Sequence, residues 1–232
     1  MIRDSFLKKN RETKSPFITN PYRFAAAAVG GWVELGRTTL EEEGDDIDVD
    51  DLDDKRYYMI LGDMRDGTGD HGSGIILNND TGSNTYAVRR NVNGGSTDST
   101  NTNLSSSGGY ITDVRSTHNF NVTYLSNLSS KEKLWINQNV HQSTAGAGTS
   151  PAREEGVGKY TGTASAVNRF AYHNWHTGNY GTNSECVVLG WDESDTHTDN
   201  FWEELYSQEL TSTGSLDTGV GGIAAKKYLW IQ

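Results

Sequence analysis

From residue 57 onward, short apolar or aromatic runs recur, and each is closed by Gly, Asn, Ser, Thr or Asp before a helical face can accumulate: 57–61 (YYMIL), 74–77 (GIIL), 86–88 (YAV), 120–124 (FNVTY), 134–136 (LWI) and 186–191 (CVVLGW). Turn clusters stand between them, as at 78–82 (NNDTG), 93–95 (NGG) and 146–148 (GAG). Runs this short, with no 3.6-residue period between them, are strands joined by turns, and several in succession build an antiparallel sandwich rather than alternating strands and helices. The expected fold is all-β, a jelly-roll-like antiparallel β-sandwich. The stretches 94–109 and 142–158, rich in Gly, Ser, Thr and Asn, are expected to be long surface loops at one end of it.

Hydrophobic residues make up only 34% of the 232 residues, yet six Trp, eleven Tyr and six Phe supply enough bulk for a core. The net charge of −11 disfavours binding to a nucleic-acid backbone. The single cysteine, Cys186, excludes an intrachain disulfide, has no zinc-type spacing around it, and is expected to be a buried, inert thiol in a core strand. The first thirty residues show no secretory-signal pattern, and no apolar run reaches the length of a membrane span. Synthesis in a cytosol is the expectation.

Charge is distributed unevenly. Residues 1–28 carry +4, leaving −15 for the rest. This arm has no strand or helix period, and its Pro16 and Pro21 favour extended backbone. A basic, extended, aromatic-spotted terminus suits docking on a partner, with Arg3, Phe6, Lys8, Lys9, Phe17 and Tyr22 as the contact candidates, against the alternative of a frayed end.

A second large-scale feature is an internal repeat. Residues 32–44 (WVELGRTTLEEEG) align with 202–214 (WEELYSQELTSTG), and after one inserted residue 52–57 (LDDKRY) aligns with 223–228 (IAAKKY), giving seven identities. The expected organisation is an arm at 1–28, a sandwich at 29–195 and, at 196–232, the first strands of a second, incomplete module. Two strands cannot bury their own apolar faces in water, so that copy is expected to continue in a longer chain or to pair with another subunit.

The repeat also serves as a control for the acidic stretch at 41–54 (EEEGDDIDVDDLDD), in which ten of fourteen residues are carboxylates. The matching part of the second copy keeps only Asp217, so the fold does not require these acids. Ile47, Val49 and Leu52 alternate as a half-buried edge strand would, placing Asp46, Asp48 and Asp50 on the opposite face. Such a face suits a solvated edge that discourages sheet-to-sheet association, or a seat for a basic arm; a weak Ca²⁺ site is the remaining alternative, without the glycine-turned loop of an EF-hand.

The segment 171–178 (AYHNWHTG) brings Tyr172, His173, Trp175 and His176 together, with Tyr180 nearby. It is read as a polar loop that is either structural or a surface for a glycan or another partner, since aromatic rings suit the C–H faces of sugars. A zinc pair at His173 and His176 lacks a third ligand. The run 66–74 (DGTGDHGSG) resembles a calcium turn only loosely and reads as a hairpin loop. No nucleophile elbow or phosphate loop is present, and Glu154 and Glu155, adjacent in a stretch read as loop, are expected to face apart. No enzymatic activity is expected.

At 32–40 (WVELGRTTL), 55–61 (KRYYMIL), 79–90 (NDTGSNTYAVRR) and 187–192 (VVLGWD), the chain resembles a module that recurs in virion structural proteins of marine tailed phages and related viruses, usually tail-fibre, appendage or decoration proteins. The resemblance covers about residues 32–192 and resumes at 202, leaves the arm outside, and departs from the pattern in the acidic stretch. It implies a β-sandwich without catalytic residues or a cofactor, located in the virion, docked to other virion proteins and associated with copies of itself, with a trimer as the common arrangement for fibres. The rival reading is a carbohydrate-binding, lectin-like sandwich that attaches to a host surface glycan.

Overall fold

The structure, a computed structural model, describes residues 31–65, 67–69, 72–93, 98–112, 118–141, 146–192, 195 and 227–228. The chain divides into two compact units; the described residues up to 195 lie in the unit spanning Gly30–Phe201, and residues 227 and 228 belong to the other. The docking candidates Arg3, Phe6, Lys8, Lys9, Phe17 and Tyr22, and the start of the second copy at Trp202, fall outside the described residues. In the described part of that copy, Lys227 places its ammonium 5.6 Å over the ring of Tyr228, as Arg56 places its guanidinium 5.5 Å over Tyr57 at the matching position of the first.

Twelve strands and no helix occur among the described residues: β1 (Val33–Thr39), β2 (Asp46–Val49), β3 (Tyr57–Met64), β4 (Ser73–Leu77), β5 (Tyr86–Asn93), β6 (Ser99–Ser106), β7 (Gly109–Tyr110), β8 (Asn119–Ser126), β9 (Lys133–His141), β10 (Ala152–Tyr160), β11 (Phe170–Asn174) and β12 (Glu185–Trp191). They form two antiparallel sheets packed as a β-sandwich, one of eight strands in the order β1-β12-β3-β8-β9-β10-β5-β6 and one of four in the order β2-β11-β4-β7. The pairings nest: β1 with β12, β2 with β11, β3 with β8 and β4 with β7. The remaining strands, β9, β10, β5 and β6, continue the large sheet beyond β8.

All six apolar runs read from the sequence lie in strands. Three segments read as loops are strands too. β6 occupies much of 94–109, β10 part of 142–158, and β11 the start of the Tyr172–His176 stretch. Each gains its strand state from neighbours rather than from propensity. β10 is the clearest case, because it pairs along its whole length with β9 on one side and β5 on the other. Gly158 makes room for a neighbour's ring: a Cβ there would come within 2.2 Å of the Trp135 side chain, so only glycine fits beneath that indole.

The core lies between the sheets and includes Ile47, Val49, Tyr58, Ile60, Ile75, Leu77, Phe170, Tyr172 and Val188. Tyr58 satisfies its buried hydroxyl by donating to the Val167 carbonyl at 2.7 Å and receiving Asn127 Nδ2 at 2.9 Å. Cys186 is fully buried in this core, and burial pushes its thiol well above the usual cysteine range, the condition of an inert packing residue.

Candidate functional site

Three places could carry function: the acidic edge, the aromatic–histidine segment, and the outer face of the large sheet. At the acidic edge, β2 alternates as expected. Ile47 and Val49 point into the core, while Asp46, Asp48 and Asp50 share the other face. Instead of converging on a common point, the carboxylates meet a histidine on the neighbouring strand and an arginine just before it. Antiparallel register sets Asp46 opposite His173, and Nδ1 of that histidine lies 2.5 Å from Asp46 Oδ1. Arg169, just before β11, spans the other two: its Nη2 lies 2.7 Å from Asp48 Oδ1 and its Nε 2.7 Å from Asp50 Oδ1. Its Nη1 also donates to Asn79 Oδ1 at 2.6 Å. Burial raises the Asp48 carboxyl above its ordinary range, and the charge of Arg169 opposes that rise. The acidic strand is thus tied to β11 by the Arg169 ion pairs and the Asp46–His173 contact, and among the described residues no group of three His, Cys, Asp or Glu is placed to hold a metal.

The segment around Tyr172 is not one surface. Tyr172 and Tyr180 are fully buried, so neither ring is available to a glycan: Tyr172 donates its hydroxyl to Asn121 Oδ1 at 2.7 Å, and Tyr180 donates to Ser73 Oγ at 2.8 Å. The alternation of β11 sends Phe170 and Tyr172 inward and leaves His173 on the acidic face. Trp175 packs edge-to-face on His173 with ring centroids 4.6 Å apart, and His176 Nε2 is bonded to the Tyr110 hydroxyl at 3.0 Å. The two histidines therefore serve different partners and do not share a ligand. Glu154 and Glu155 do face apart, but on a strand: Glu154 is buried against Arg90 at 3.1 Å, and Glu155 lies on the outer face.

The outer face of the large sheet was not foreseen as a site. In β9 the residues alternate Lys133, Trp135, Asn137, Asn139 inward and Leu134, Ile136, Gln138, Val140 outward; in β8, Asn119, Asn121, Thr123 and Leu125 face in while Phe120, Val122 and Tyr124 face out. The two strands have their polarity largely inverted. Buried amides occupy the inside, whereas Leu134 and Ile136 are 58% and 57% exposed outside. Val157 on β10 (52%) and Leu104 on β6 (71%) extend the same apolar surface. Register explains the continuity. One cross-strand row runs Leu189, Met59, Tyr124, Ile136, Val157, Arg89, and the next runs Trp191, Tyr57, Ser126, Leu134, Lys159, Ala87. From Tyr124 onward in the first row and throughout the second, these residues line a groove of about 870 Å³ together with Trp32, Thr102 and Leu104. Tyr57 and Trp191 stack at one end of it with ring centroids 5.4 Å apart.

A surface of this kind is unusual for a face turned to water, because burying each Leu, Ile or Val side chain is worth about 1.5–3 kcal/mol and contiguous exposed apolar patches mark interaction sites. Slipping either strand by one residue would turn the apolar set inward. The observed register holds because Trp135 and Leu125 belong to the inner core and Tyr172 fixes Asn121. The sequence signal was present: the apolar residues of 133–141 (KLWINQNVH) fall on both parities. Comparison with known proteins finds no matching family, no matching curated protein and no matching solved structure.

Proposed function

We propose that this protein is a non-catalytic structural component of a virus particle, the anchored part of a tail fibre or of a capsid or tail appendage, and that its sandwich assembles with further copies of itself through the outer face of the large sheet. The observation that carries this reading is the inverted polarity of β8 and β9, which places amides in the interior and Leu134 and Ile136 in the open. The nested pairing of β1 to β12, β2 to β11, β3 to β8 and β4 to β7 supports a jelly roll, an architecture that recurs in capsid and lectin domains. The resemblance to virion modules of marine phages supports the setting, with the arm at 1–28 as the docking element and a trimer as the arrangement for a fibre.

A second copy suits the groove better than a sugar. The surface it exposes is mainly apolar, from Leu104, Leu134, Ile136 and Val157 and from aromatic rings, and of the polar groups at its border Lys159 is already paired with Glu132 at 3.0 Å. Glycan hydroxyls need many such partners, whereas an apolar sheet face needs another apolar face. The aromatic rings along the groove, the stacked Tyr57 and Trp191 with Trp32 and Tyr124, are what favours the lectin-like alternative.

The test is light scattering on the full chain and on Ile136→Glu, together with a glycan array. Assembly of the unmodified chain, collapsing to monomer in Ile136→Glu with an unchanged circular dichroism spectrum, supports the proposal. A monomeric unmodified chain that binds a glycan, with binding lost in Trp191→Ala, overturns it in favour of attachment.

A further inference from the structure

We propose that the amide cluster on the inner face of β8 and β9 is a built internal hydration site holding ordered water. Asn119, Asn121, Asn137 and Asn139 are each no more than 4% exposed. Asn121 and Asn139 are direct cross-strand partners, and Asn137 is opposite Thr123 one pair along the same face. Part of this group is fixed within the protein. Thr123 Oγ1 donates to Asn121 Oδ1 at 3.0 Å, Tyr172 donates to the same oxygen, and Asn137 Nδ2 donates to Thr123 Oγ1 at 3.0 Å. The Thr123 hydroxyl accepts from Asn137 and donates to Asn121, which couples the two amides: reversing both together reverses the chain of bonds and leaves the same number of free donors and acceptors.

Six amide atoms of the cluster then have no partner among the described residues: Nδ2 of Asn119, Asn121 and Asn139, and Oδ1 of Asn119, Asn137 and Asn139. Three are donors and three are acceptors, and this balance identifies the ligand. A cation would satisfy the oxygens and leave three N–H groups facing it; an anion would do the reverse. Water donates and accepts at once and makes about three hydrogen bonds when buried, so about two molecules would satisfy the set. Gly156, the cross-strand neighbour of Asn137, adds no side chain on this face, and a Cβ placed there would meet Arg89, Arg90 and Asn137 only at ordinary contact distances of 3.7–3.8 Å. The interior of the large sheet is thus wet at β8 and β9, on the opposite side from its apolar outer face.

The experiment uses the full, unaltered chain. In a high-resolution crystal structure, density at hydrogen-bonding distance from Asn119 and Asn139, with long-lived water contacts to the side-chain NH₂ groups of Asn119, Asn121 and Asn139 in nuclear magnetic resonance, is the expected result. Direct Asn121–Asn139 amide pairing without intervening density overturns the proposal, as does a single centre with the short, oxygen-only coordination of about 2.3–2.6 Å that marks a bound cation. Neither outcome bears on assembly through the outer face.

Discussion

Strands β3 and β12 and strands β8 and β9 lie in the same sheet and are built on opposite plans. In the first pair both faces are apolar and buried: Tyr58, Ile60, Cys186 and Val188 face the small sheet, and Met59, Leu61, Val187 and Leu189 on the other side are no more exposed. In the second pair the inward positions carry Asn119, Asn121, Asn137 and Asn139, and the outward ones carry Leu134, Ile136 and Val140 in the open. The difference separates two tasks. The β3–β12 pair supplies burial on both of its faces, and the β8–β9 pair, at which the large sheet begins to extend past the nested pairing, leaves apolar side chains in the open.

The largest effect expected of any single residue in this contrast is in stability. Leu189→Ala removes a buried side chain and is expected to cost about 2–5 kcal/mol, while Ile136→Ala, on the same cross-strand row, is expected to stay within about 0.5 kcal/mol when the protein is dilute enough to be dissociated. Urea unfolding of both variants at low concentration measures this. Equal losses would erase the distinction between the two strand pairs.

Next comes alkaline stability, which probes the interior rings on either side of the divide. Burial raises the ionisation of Tyr58 on β3, of Tyr86 on β5 and of Tyr180 above the ordinary tyrosine range, and it pushes Tyr160 on β10 up to about 12, helped by the adjacent Asp80. The folded values exceed the unfolded ones, so below about pH 10 these groups cost nothing, and above it the unfolded chain ionises first. Stability should fall steadily from about pH 10 upward, by about 1.4 kcal/mol for each tyrosine and each pH unit until the folded group ionises too. Urea midpoints measured from pH 8 to pH 11.5 test the direction, and Tyr160→Phe should flatten part of the slope. A flat midpoint across that range would mean that these rings ionise inside the fold.

How much of this was legible beforehand follows the same divide. Where both faces of a strand are apolar, as at 57–61 and 186–191, the sequence announces it directly, and the alternation of Ile47 and Val49 against three aspartates was enough to orient β2. β6 and β10 read as loops because the Ser and Asn of β6 and the Ala, Glu, Lys and Gly of β10 carry little intrinsic strand signal; pairing with β5 and β9 overrides local preference there. Tyr172 and Tyr180 were misjudged for a related reason. An aromatic in a polar segment looks like a surface feature until the strand parity around it is known. The groove was missed because it is assembled from β12, β3, β8, β9, β10, β5 and β6, which come together only through the sheet order. Arg169, the residue that neutralises Asp48 and Asp50, sits more than a hundred positions away from them and becomes visible only through the β2–β11 register.

The smallest expected effect concerns the polar end of β9. His141 lies on the inner side, opposite Asn119, with Glu154 Oε1 4.0 Å from its Nε2 and the Arg90 guanidinium on the far oxygen of that carboxylate. Burial lowers its pKa from the usual histidine value, the direction that keeps the ring neutral in the fold. With the folded value below the unfolded one, the unfolded chain takes up a proton that the folded chain refuses, so stability is lost as pH falls through about 6.5. His141→Gln keeps hydrogen-bonding capacity without a titrating proton, and the decline in unfolding free energy between pH 7 and pH 5.5 should be shallower in that variant than in the unmodified protein. One proton sets the scale, so the change stays small beside the loss at Leu189. An unchanged or steeper slope in the variant would mean that Glu154 outweighs burial and that His141 is charged when folded. The seam inside β8 and β9 would then be organised by ion pairing at this end rather than by neutral amides alone.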